Sequence, residues 1–266
     1  EQVALDALEA GCHLLIEKPI ASTVAQGQGL VRKARALDRK LMVGHIVRFN
    51  PAIQELKRRL QNDELGKIFQ VVCRRVGPFP PRIRDVGVVV DLASHDLDLM
   101  RYLLEMEPLR VYAEIERRIH TQHEDLLLAL LRFPSGVSGS LEINWLTPLK
   151  VREVWLLGER GMYRVDDLTQ DIYFYENAAV NGEFWSALRT LKGVSEGAMT
   201  RYPLQRYEPL KAELDSFIQA IIDDTPVPVS GEEGIASLRI ALALVESGRS
   251  NQVVTFDDAN GLSNHA

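Results

Sequence analysis

Between Arg110 and Glu176 the sequence runs RVYAEIERR (110–118), DLLLALLRF (125–133), VSGSLEINW (137–145), KVREVWLLG (150–158), MYRVDD (162–167) and DIYFYE (171–176). Each run is short, rich in β-branched and aromatic residues, and separated from the next by a turn such as Pro134-Ser135-Gly136, so each reads as a strand. Consecutive strands without intervening helices predict a large, mostly antiparallel sheet in an α+β arrangement. Residues 177–205 lack periodicity and read as a long loop. Two amphipathic helices follow, to cover the sheet. In 208–223 Leu210, Leu214, Phe217, Ile218 and Ile221 form one apolar face; in 231–247 Ile235, Leu238, Leu242 and Val245 do so behind a capping box of Ser230 and Glu233.

Toward the N-terminus the cadence changes. A helix over 1–10 stopped by Gly11, a strand Cys12–Glu17, a helix over 22–38 capped by Ser22 or Thr23, and a strand Lys40–Val47 alternate as parallel βαβ units do. Gly27 and Gly29 lie inside the second helix, each at a cost of about 1 kcal/mol relative to Ala. A helix over 51–66 opening at Pro51, a strand over 67–76, and a helix near 91–104 behind the apolar run Val88–Val90 connect the two patterns. The reading is therefore two domains: residues 1–50 as part of a Rossmann-type parallel sheet, and 51–266 as the α+β domain.

The chain has 266 residues, 46% hydrophobic and 26% charged, the proportions of a globular protein. Its 37 acidic and 31 basic residues are spread without a long like-charge run, which excludes an electrostatic footprint for nucleic acid and favours a small-molecule or protein partner. Cys12 and Cys73 have no CxxC spacing and no Cys/His cluster, so no metal site is expected. No apolar run is long enough for a membrane span, and the expected location is cytoplasmic. Glu1 stands where a helix is already under way, as in a fragment lacking its own beginning.

Three stretches carry candidate chemistry. Glu17-Lys18-Pro19 ends the first strand, and ligands of open parallel sheets bind beyond the carboxyl ends of strands; a solvated strand end has the same residues. In DLASHDLD (91–98), Asp91, Ser94, His95 and Asp98 share a helical face, a pattern that suits a general base with a supporting carboxylate, or simply a polar outer face. In GHIVRFNP (44–51), Arg48 and Asn50 stand two apart on an extended chain and point to one side, as a ligand-facing pair or as a hinge with a solvated Arg. G-x-G-x-x-G occurs nowhere.

Taken in order, EKP at 17–19, GHIVRFNP at 44–51, DxxxHDLD at 91–98 and the switch to a large antiparallel sheet resemble the family of glucose-fructose oxidoreductase, inositol dehydrogenase and MocA. GHIVRFNPAI with EPLKAELDSFIQAI is similar to its UDP-N-acetylglucosamine 3-dehydrogenase branch. The resemblance implies NAD or NADP as cofactor, a sugar or nucleotide-sugar substrate, and homo-oligomers through the open sheet face. It makes Lys18, Asp91 and His95 catalytic, places Glu17, Lys18, Pro19 and Arg48 at the cofactor and Asn50 and Asp98 at the substrate, and has Asp91 orient His95. The chain departs from the family where it starts, inside the Rossmann domain and without the glycine loop. The expectations are thus a dehydrogenase, truncated or inactive as it stands; a non-catalytic sugar-binding or oligomerising domain; or a glycosidase or lyase working through the same cofactor.

Overall fold

The computed structural model describes residues 1–80, 83, 86–119, 122–178, 196–257 and 261–264. Helix α1 (Gln2–Glu9) ends before Gly11, whose φ of +85° only glycine adopts freely. Strand β1 (Leu14–Glu17) pairs in parallel with β2 (Leu41–Gly44), with Glu17 opposite Gly44. Between them lies α2 (Val24–Ala36), started by a capping box in which Thr23 Oγ1 accepts from Gln26 N–H and the Gln26 carboxamide accepts from Thr23 N–H. Gly27 earns its place in this helix: a Cβ there would come within 3.0 Å of Ile235.

The expected strand Lys40–Val47 stops at Gly44. His45 turns the chain into a short 3₁₀ segment, Ile46–Phe49, and Asn50 caps α3 (Pro51–Gln61) by accepting from Ala52 N–H at 2.9 Å. Arg48 and Asn50 therefore do not share a strand face. Pro51 at the first helical position and Asn50 before it are a helix start, and they outweigh the extended propensity of the preceding residues.

Strand β3 (Ile68–Pro78) is central to a ten-stranded sheet. The π-helical segment Val89–Ala93 leads into α4 (Ser94–Leu104). The strands that follow are β4 (Arg110–Glu116), β5 (Leu126–Arg132), β6 (Ser138–Asn144), β7 (Leu146–Gly158), β8 (Gly161–Asp166), β9 (Asp171–Asn177) and β10 (Glu196–Tyr202). After α5 (Pro209–Ile222) and α6 (Gly231–Ser250) come β11 (Val254–Asp257) and β12 (Gly261–Asn264). The order is β10-β9-β8-β7-β3-β6-β5-β4-β11-β12, antiparallel except where β3 runs parallel to β6. The stretch read as a loop over 177–205 thus contains β10, whose EGAMTRY lacks alternation; residues 179–195 lie outside the described residues.

Only one of the two C-terminal helices covers the sheet. Helix α6 lies on β4 and also packs against α2 and α4, whereas α5 packs on the Ile46–Phe49 turn. Consequently α5 buries Phe217 and Ala220 and leaves Leu210, Leu214 and Ile218 exposed, so its inward face differs from the one expected. One apolar core, with Leu8, Leu30, Val43, Phe49 and Phe217, surrounds the parallel pair; the other, with Val71, Leu97, Leu127, Ile143 and Leu156, fills the space between the large sheet and its helices. The opposite sheet face stays open and carries Leu128 and Leu130 at 48% and 62% exposure. No helix among the described residues is long and apolar enough to cross a membrane.

Candidate active site

At the carboxyl end of β1 the chain turns through Lys18 and Pro19, and the Lys18 ammonium reaches the π-helical segment before α4. It donates to Asp91 Oδ1 at 2.9 Å and to the Asp91 backbone carbonyl, with both side chains largely buried. This ion pair forms one wall of a cavity of about 600 Å³, whose lining also includes His95, Arg75, Trp145 and Arg152. Single π turns recur at functional sites because the extra residue re-aims the side chains around it. Here the turn carries Asp91 toward Lys18 and leaves His95, the next turn on, against the same cavity.

Asp91 does not hold His95, contrary to expectation. The α-helical spacing assumed for the pair is altered by the π turn, and the carboxylate is engaged by Lys18 instead. His95 Nδ1 is buried with no hydrogen-bond partner among the described residues, while the ring as a whole is partly exposed. Proton exchange with the cavity therefore falls to Nε2. Burial, followed by the positive charges of Lys18 and Arg75, holds this ring well below the ordinary imidazole pKa, so it is neutral at neutral pH. His45 stands edge-on to it with ring centroids 6.5 Å apart, and burial lowers its pKa as well.

The remaining candidates gather elsewhere. Arg48 donates to both oxygens of Asp98, at 2.7 and 2.6 Å, and to Glu233 at the start of α6. Asp98 also accepts from Ser237 at 3.2 Å. Asn50, besides capping α3, donates to Asp167 Oδ1 at 2.7 Å. Arg48, Asn50 and Asp98 thus tie helices and strands together, away from the lining of the Lys18–His95 cavity. Glu17 is exposed beside Gly44, and Pro19 follows Lys18 with no side-chain polar group to offer a ligand.

Sequence reasoning passed over Arg75 and Arg152. Arg75 lies on β3 with Val71 and Cys73 on the inward face, and Arg152 lies on β7 with Val154 and Leu156; the alternation marks both as charges aimed at the core. Arg75 forms a two-pronged ion pair with Asp96 of α4, at 2.7 and 3.0 Å, in which both side chains are 2% exposed. A buried charge needs such a partner.

Comparison with known proteins places these elements. Residues 1–45 match an oxidoreductase-family model of the NAD-binding Rossmann fold, and residues 53–164 match the GFO/IDH/MocA C-terminal domain. UDP-N-acetylglucosamine 3-dehydrogenase of Acidithiobacillus ferrooxidans is 30% identical over 240 residues, 90% of this chain and 72% of that protein. A solved structure of that enzyme superposes with a TM-score of 0.79 at 28% identity, covering 94% of this chain and 75% of the other. Myo-inositol 2-dehydrogenase of Thermotoga maritima is 22% identical over 271 residues, 98% of this chain and 77% of that protein. Aldose-aldose oxidoreductase of Caulobacter crescentus shares the fold with a TM-score of 0.81 at 22% identity, over 96% of this chain and 75% of that one.

Proposed function

Because the chain belongs to the GFO/IDH/MocA oxidoreductase family, we propose that it serves the NAD(P)-dependent oxidation of a hydroxyl-bearing carbon in a sugar or nucleotide sugar. The observation that carries this reading is the convergence of Lys18, held by Asp91, and a neutral, partly buried His95 on one cavity at the end of a parallel strand. The nucleotide-sugar form of the substrate is supported by the Acidithiobacillus ferrooxidans relative.

The residues present suit the reactive end of a nicotinamide. An ammonium sits at the β1 terminus, and an imidazole with an unpartnered buried nitrogen faces the same space. Lys18 and the adjoining Glu17 and Pro19 would border that ring; a glycine loop for the phosphates is not among the 266 residues. When bound, the nicotinamide supplies the two-electron acceptor. His95 Nε2 takes the proton of the substrate hydroxyl. Lys18 donates a charge-assisted hydrogen bond to the same oxygen as negative charge develops there, and Asp91 fixes the ammonium in position. Because the ring is neutral it is ready to accept, and its low basicity returns the proton readily in the reverse direction.

The test is NAD(P)-dependent turnover of a sugar or nucleotide sugar. His95→Ala and Lys18→Ala each lower kcat by roughly 10²-fold or more, the scale of lost acid/base assistance. Near wild-type turnover in both variants overturns the assignment. For the division of labour, we propose that residues 1–50 serve the cofactor and 51–266 the substrate. The open sheet face with Leu128, Leu130 and Trp155 serves as the contact for a second copy, since an apolar face of this kind is commonly closed by an isologous dimer.

A further inference from the structure

The lining of the Lys18–His95 cavity also carries an imbalance of charge. Arg75 of β3 and Arg152 of β7 are direct partners in the antiparallel ladder, an arrangement in which like charges repel. Arg75 is neutralised by Asp96. Arg152 has no ion pair with any described carboxylate; Asp167, Asp96 and Asp91 act on it only at longer range. Lys150, two residues along the same face of β7, is likewise without an ion pair among the described residues and lies over Gly77, where a Cβ would sit 3.7 Å from its side chain.

Both groups register the crowding. Burial and then Arg75 lower the Arg152 pKa, and Arg152 is the first cause of the lowered Lys150 pKa. Two guanidiniums held side by side at partial burial repel one another, and an anion placed between or beside them offsets that repulsion. The charge of Lys18 is balanced by Asp91, so the surplus positive charge rests on the β7 side chains.

We propose that Arg152 and Lys150 form an anion subsite within the substrate cavity, which selects a sugar bearing a carboxylate or a phosphate ester over its neutral counterpart. This deepens the dehydrogenase reading and rests on it for the sugar. Arg152 supplies a planar fork suited to either oxyanion, and Lys150 supplies a second point charge at the cavity mouth.

The experiment is calorimetric binding to the full chain of three probes: N-acetylglucosamine, glucuronate and N-acetylglucosamine 1-phosphate. At least one anionic probe should bind 10- to 100-fold more tightly than the neutral sugar, the scale of a charge-assisted hydrogen bond. Arg152→Met and Lys150→Met should each remove most of that preference without weakening the neutral sugar, and Arg152→Lys should restore part of it. Preference for glucuronate alone assigns a carboxylate ligand, and preference for the 1-phosphate alone assigns a phosphate ester. Equal binding of all three probes, or variants that weaken charged and neutral sugars alike, overturns the subsite. If a neutral sugar is oxidised while no anion is preferred, this inference falls and the dehydrogenase reading stands; Arg152-dependent anion binding without oxidation of any sugar gives the converse. Lys150 is exposed, so its variant keeps the test decisive should Arg152→Met fail to fold.

Discussion

Replacing Asp96 with Asn should be strongly destabilising. The carboxylate accepts two hydrogen bonds from Arg75 with both partners 2% exposed, and the next acid in reach of that guanidinium, Asp167, is 3.6 Å from it. Asn keeps the shape and removes the charge, leaving a buried guanidinium that also faces Arg152 across the ladder. Breaking one partner of a buried pair costs about 3–5 kcal/mol. With a urea slope of about 2–3 kcal/mol/M, that loss moves the unfolding midpoint down by roughly 1–2.5 M. The assay is urea denaturation followed by tryptophan fluorescence, since Trp145 and Trp155 both report on the sheet. The double variant Arg75→Met/Asp96→Leu should recover most of the loss, because an apolar pair of similar volume carries no uncompensated charge. A loss under about 1 kcal/mol for Asp96→Asn, or a double variant no better than the single, would show that the pair is solvated and that the reasoning fails.

Other outcomes are equally open to measurement. His95 has a lowered pKa, so the unfolded chain takes up protons first as pH falls from 6.5, and the stability gained from the neutral ring declines below that value. The acid limb of the turnover profile therefore lies below pH 6.5, and Lys18→Met, by removing a nearby cation, moves the limb of the residual activity upward. Glu213 is the opposite case: burial and then Glu17 raise it to about 7, so its contribution is present below pH 4.5 and lost as pH rises toward 7. Glu213→Gln should accordingly raise stability at pH 8 by about 1–3 kcal/mol, read from thermal melts at pH 5 and pH 8, and a pH-independent effect would contradict the buried-carboxyl reading. Titrated by NADH fluorescence, the 266-residue chain should saturate only above about 1 mM, because the amides that grip the pyrophosphate are missing from it; low-micromolar saturation would refute this. Light scattering at micromolar protein should give a multiple of the 29.9 kDa chain mass, and a monomer would exclude the open face as a contact.

The large sheet was legible because its strands are local and amphipathic: Leu127, Ala129 and Leu131 alternate with exposed neighbours, and no tertiary fact is needed to see it. The parallel pairing of β3 with β6 was not, since register between distant strands leaves no local trace. The α5 face was misread because its inward side is set by the 3₁₀ turn it meets, and apolar residues occur on both sides of the helix. At the site, Lys18 and His95 could be singled out from motif and strand-end logic. The break between Asp91 and His95 could not, because a π turn is invisible to a periodicity of 3.6. Arg75 and Arg152 were visible in principle as charges at inward positions of otherwise apolar strands.

Helix α6 belongs to both apolar cores at once: Leu238 lies in the one around the parallel pair, and Ile240, Ala241 and Leu244 lie in the one beneath the large sheet. Its first turn is also clamped to Arg48 through Glu233. A helix shared in this way makes the two halves a single cooperative unit in hydrogen exchange. Local opening of the parallel pair would have to peel α6 from Leu238 inward, so the amides of its middle turns should exchange only with global unfolding while those of α1 and α5 exchange early. Motion at the N-terminal side is then a matter of α1 and α5 breathing around a fixed axle.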